Sequence, residues 1–79
     1  MIDYRNSDWG KMWKDICPEA YELAIEIAEH PDLMVNIYEV KGFGWVIEPR
    51  NILPDFWLNL HFTRQQAIDE CFKLGWYIR

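Results

Sequence analysis

Few side chains in this sequence are suited to chemistry. They are Cys17 and Cys71, His30 and His61, the hydroxyls of Ser7 and Thr63, and a surplus of carboxylates. Two thiols and two imidazoles would complete a Cys₂His₂ zinc set, but none of the four stands at the short spacing by which a finger gathers its ligands. Both cysteines fall where helices would bury them, and a buried cysteine behaves as a small hydrophobe. They are too few for a disulfide framework, which leaves open only whether Cys17 and Cys71 pair with each other. A nucleophile needs an adjacent base. Ser7 and Thr63 each precede a helical stretch and read as caps, and neither histidine sits in a catalytic motif. Asp69 and Glu70 are consecutive on a helix and diverge, so they cannot share an acid–base task. Gly42-Phe43-Gly44 has no helix after it to receive a phosphate and reads as a hairpin turn. The expectation is a protein without catalytic residues, metal or cofactor.

The carboxylates carry more information. Glu19, Glu22, Glu26 and Glu29 are spaced three, four and three, which sets all four on one helix face, with neighbours roughly 5 Å apart along the axis. No Lys or Arg lies between Glu19 and Glu29 to relieve a repulsion of a few tenths of a kcal/mol per pair. A solvated helix face explains the spacing, because water and salt screen such charges over ~8–10 Å. The alternative is a binding face for Lys and Arg of a partner protein, in a groove that otherwise holds nucleic acid. Five Trp and four Tyr exceed what a chain of 79 residues can enclose, so some rings should be exposed as interface anchors. Tyr38 and Trp57, opposite the more regular apolar positions of their strands, are the candidates. The competing reading makes these rings lids over the core.

The charge balance agrees with a basic protein partner. The net charge of −5 disfavours direct nucleic-acid binding, which needs clustered Lys and Arg. It is also uneven: residues 1–40 hold nine acids and three bases, residues 41–79 four acids and five bases. No stretch approaches the roughly 20 apolar residues of a membrane span, and the first residues lack the layout of a signal peptide, so a cytoplasmic location is expected.

The elements that must position these groups form a single small α+β domain over 1–79. Ser7 caps a helix to about Cys17, with Trp9, Met12, Trp13 and Ile16 at helical spacing. Pro18 opens a second helix to about residue 30, whose apolar stripe holds Ala20, Tyr21, Leu23, Ala24, Ile25, Ile27 and Ala28. Met34 to Lys41 and Gly44 to Glu48 read as a β-hairpin, stopped by Pro49. After a loop over 50–55, residues 56–62 alternate as a third strand. Phe56, Leu58, Leu60 and Phe62 take one face, and Trp57, Asn59 and His61 the other. Thr63 and Gln66 form a capping box for a last helix that buries Ala67, Ile68, Cys71 and Phe72, and Gly75 is its C-cap. The hairpin and third strand make a three-stranded antiparallel sheet, with Trp76-Tyr77-Ile78 available for a short final strand.

From Gly44 onward, the pattern Trp45-Val46-Ile47, Phe56-Trp57-Leu58, Phe62-Thr63, Ala67-Ile68, Cys71 and Gly75-Trp76 resembles short accessory proteins of bacteriophages and other mobile elements. In size, acidity and lack of catalytic residues the chain is similar to phage-encoded inhibitors of host defence, including anti-CRISPR proteins. The resemblance implies a non-enzymatic inhibitor, acting in the host bacterial cytoplasm, that covers a basic nucleic-acid-binding surface of a bacterial effector. A homo-oligomeric structural or regulatory module is the alternative.

Overall fold

The computed structural model describes residues 3–52 and 56–78. The Ser7 hydroxyl accepts the Gly10 N–H at 3.0 Å and donates to the Tyr4 carbonyl at 2.6 Å. It thereby joins a short 3-10 turn, Tyr4–Asn6, to helix α1, Asp8–Ile16. Cys17 is extended, and Pro18 starts α2, Pro18–Ala28, at the position where a missing N–H costs nothing. Ala24, Ile25, Ile27 and Ala28 are buried. The helix stops at Ala28, short of the expected residue 30.

β1, Met34–Val40, and β2, Gly44–Pro49, pair as the expected hairpin, with Ile37 opposite Ile47 and Tyr38 opposite Val46. Of the expected loop at 50–55, residues 53–55 lie outside the described residues. β3 is only Asn59–His61, and α3, Arg64–Leu74, follows through the Thr63–Gln66 capping box. Gly75 then reverses the chain in the left-handed conformation, φ 79°. The Trp76 indole, buried, donates to the Ala28 carbonyl at 3.1 Å. That anchor lays β4, Tyr77–Ile78, beside β1.

The sheet order is β3-β2-β1-β4, with β4 parallel to β1. The fold is therefore α+β with three helices: the expected antiparallel set of hairpin and third strand is present, and the available final strand joins it in parallel, so the sheet is four-stranded and mixed rather than three-stranded and antiparallel. The reason is geometric. β3 and β4 run the same way, and a parallel connection needs a crossover, here α3. No helix among the described residues is long and apolar enough to cross a membrane.

The third strand also departs from its expected faces. Residues directly opposite in an antiparallel ladder share a face. Asn59 is opposite Ile47, a core residue, and His61 is opposite Trp45, so both turn toward the helices while Leu60 turns away with Val46. Asn59 is fully buried because its amide is satisfied: Nδ2 donates to Glu70 at 3.2 Å and Oδ1 accepts the Leu60 N–H at 2.8 Å. Leu58 is buried too, since the chain bends there before the strand begins. Phe62, expected inside, is 88% exposed, and Phe72, also expected inside, is 75% exposed on the outer side of α3.

Candidate functional site

α2 turns its buried residues to the core and leaves Glu19, Glu22, Glu26 and Glu29 exposed. Leu23, counted in its apolar stripe, is partly exposed among them. The fold supplies one cation that local sequence did not. Arg5, in the 3-10 turn, places Nε 3.1 Å from a Glu29 carboxylate oxygen. The run is thus compensated at its C-terminal end, and Glu19, Glu22 and Glu26 make no ion pair among the described residues.

Tyr38 and Trp57 are half-buried. The Trp57 indole N–H donates to the Tyr38 hydroxyl at 3.0 Å, and that hydroxyl donates to Glu48 at 3.0 Å. Tyr38 shares its sheet face with Val46, the face turned away from the helices. It therefore sits across the sheet from the core that α2 packs against, so Tyr38 and the glutamates do not form one patch. Phe43, exposed at the hairpin turn, has its ring centroid 6.5 Å from that of Trp57.

Trp57 also lines a second feature. Trp9, Met12, Trp13 and Ile16 of α1 face Phe56 and Trp57 across a groove of about 320 Å³. Its wall is tied by the Trp13 and Phe56 rings, stacked with centroids 5.5 Å apart and planes 12° from parallel. Ile16, at one end, is 66% exposed. The α1 spacing was legible as an apolar stripe. That the stripe would be left partly uncovered was not, because the opposite wall depends on where β3 begins.

A polar cleft of about 300 Å³ lies between the N-terminal segment and α3, with Asp8, His61, Glu70 and Lys73 among its walls. Burial lowers the His61 pKa and Glu70 opposes that shift, so near neutral pH the ring is uncharged. Burial, with Glu70 adding to it, pushes the Cys71 thiol up to about 12. It is no thiolate nucleophile at neutral pH. Ser7 is committed to its two backbone partners. Cys17 and Cys71 are free thiols, half-buried at the α1–α2 junction and buried in the core respectively. His30 is exposed, with Nδ1 2.7 Å from the Pro31 carbonyl. Among the described residues no group of three or more His, Cys, Asp or Glu is placed to hold a metal ion.

Compared with known proteins, the chain matches no family model, no curated protein and no solved structure.

Proposed function

We infer that the chain is a non-enzymatic acidic binding protein, a phage-encoded inhibitor of host defence of the anti-CRISPR kind. Its α2 carboxylates occupy a basic, nucleic-acid-binding surface of a bacterial effector. The observation that carries this reading is the exposure of Glu19, Glu22 and Glu26 on one helix face without an intramolecular counter-ion among the described residues. Repulsion along such a row is relieved when Lys or Arg of a partner lies against it. Glu29 joins the same surface, because an exposed pair such as Arg5–Glu29 is worth only about 0–1 kcal/mol and exchanges readily for a partner's cation. Charge of this kind raises the association rate, while buried apolar contacts slow dissociation. Trp57, at the groove, is the better placed of the two expected aromatic anchors. Tyr38 supports it through their hydrogen bond.

The test is capture from nuclease-treated bacterial lysate at low salt, beside the Glu19, Glu22, Glu26 and Glu29→Gln variant. One stoichiometric nucleic-acid-handling protein, lost with the variant, is the expected result. Recovery of the bait alone, as a defined oligomer, would turn the reading to a self-associating module. Exposed Phe62, Phe72 and Tyr77, the last on edge strand β4, favour that second reading.

A further inference from the structure

We propose that Asn59 and Gln66 close the free edge of the sheet: their side-chain oxygens occupy the outward backbone N–H groups of Leu60 and Phe62, which keeps residues 56–62 from pairing with a second copy of the chain. The inference stands apart from the acidic-face reading and concerns a surface that the fold shuts.

β3 is an end strand in the order β3-β2-β1-β4, so one of its sides has no strand beside it. Which backbone groups point to that side follows from the ladder. The Arg50 N–H donates to the Met34 carbonyl, so by alternation Glu48, Val46 and Gly44 turn their backbone groups to β1, and Ile47 and Trp45 turn theirs to β3. Asn59 and His61, opposite Ile47 and Trp45, therefore answer toward β2. Leu60, opposite Val46, points its N–H to the free edge, and Phe62 is next in that alternation.

Outward donors on an edge strand are a template for another strand. Here both are taken. Asn59 Oδ1 accepts the Leu60 N–H at 2.8 Å, and Gln66 Oε1 accepts the N–H groups of Phe62 at 3.1 Å and Thr63 at 3.2 Å. Just ahead of the strand, the Tyr4 hydroxyl donates to the Leu58 carbonyl.

The segment is one that closure protects. Residues 56–62 include Phe56, Trp57, Leu58, Leu60 and Phe62 and hold no Asp, Glu, Lys, Arg, Pro or Gly, the composition of a segment that stacks into intermolecular sheets. Phe62 is 88% exposed, and no lysine on the strand repels an incoming one. Asn59 occupies a fully buried, core-facing position opposite Ile47, where a β-branched residue would pack well and need no hydrogen bonds. Its amide, unlike such a side chain, reaches the next N–H.

The test compares full-length variants by sedimentation velocity over a concentration series, with circular dichroism to check folding. The Asn59→Ala, Gln66→Ala double variant should self-associate about tenfold or more tightly than wild type, the weight of two reopened backbone hydrogen bonds. Gln66→Glu keeps an acceptor oxygen and the capping box and should behave as wild type. Adding Phe62→Lys to the double variant should restore wild-type behaviour, because a lysine on an edge blocks an incoming strand. Gly10→Ala, destabilised in α1 with the edge intact, should not associate. If the double variant does not fold, Gln66→Ala alone, at an exposed position, carries the same comparison with Gln66→Glu. A folded variant without the caps that associates no more than wild type would overturn the proposal. So would association matched by Gly10→Ala, association that Phe62→Lys leaves in place, or a wild-type oligomer that Phe62→Lys dissolves.

Discussion

Trp13 of α1 and Phe56, forty-three positions later, stack with centroids 5.5 Å apart and planes 12° from parallel. The stack pins the approach to β3 against the first helix. It also leaves the α1 stripe incompletely covered, since Ile16 extends past it. The groove is a by-product of how the N-terminal segment is held, and that segment can be tested independently of any partner.

Gly10 is the first such test. In an exposed helix interior, Gly→Ala stabilises by roughly 1 kcal/mol. Here an added Cβ would sit 2.2 Å from the Tyr4 carbonyl oxygen, a backbone atom that cannot swing aside. Gly10→Ala should therefore destabilise, by about 1–3 kcal/mol, as overpacking does. Urea unfolding measures it, and an unchanged or raised midpoint would contradict the close approach of the 3-10 turn to α1.

Tyr4 is fully buried, and its hydroxyl donates to the Leu58 carbonyl. Tyr4→Phe keeps the ring and leaves that carbonyl without this donor, at a cost of about 1–2 kcal/mol. For a domain of this size the melting temperature should fall by about 4–8 °C for each kcal/mol. A fall below a degree would mean that the N-terminal turn is not tied to the start of β3.

The two thiols should differ in reactivity. Cys71 is buried and its thiol is pushed up to about 12, whereas Cys17 is half-buried at a helix junction. A thiol reagent at mildly alkaline pH should modify Cys17 in the native protein, and Cys71 only after denaturation. Two equally fast thiols would contradict the α3 packing.

His61 gives the pH dependence. Its folded pKa is depressed, by burial first, with Glu70 opposing; Asp8 and Lys73 line the same cleft. Below about 6.5 the unfolded chain takes up a proton that folded His61 refuses, so stability falls as pH drops through that value until the folded ring titrates. His61→Gln should flatten this part of the stability–pH curve. Equal slopes in wild type and variant between about pH 7.5 and 5.5 would refute the assignment.

Most elements were legible because their signals are local. Ser7, Pro18, the Thr63–Gln66 box and Gly75 each fix a helix boundary through atoms within four residues. What escaped depends on distant partners. Asn59 faces the core only because Glu70 meets its amide, and β4 joins β1 only because Trp76 is held by the Ala28 carbonyl. The same division holds at the site. The glutamate face follows from helical spacing, whereas Arg5 opposite Glu29 and Phe56 opposite Trp13 come from pairings 24 and 43 residues apart, which no local pattern encodes.

Whether the α2 carboxylates hold a basic partner is read from the affinity for the captured protein across a salt series. Wild type should bind tightly at low salt and weaken steeply as salt rises, while the Glu19, Glu22, Glu26 and Glu29→Gln variant binds weakly with little salt dependence. Affinity at low salt that is unchanged by the four substitutions would rule out the acidic face as the binding surface.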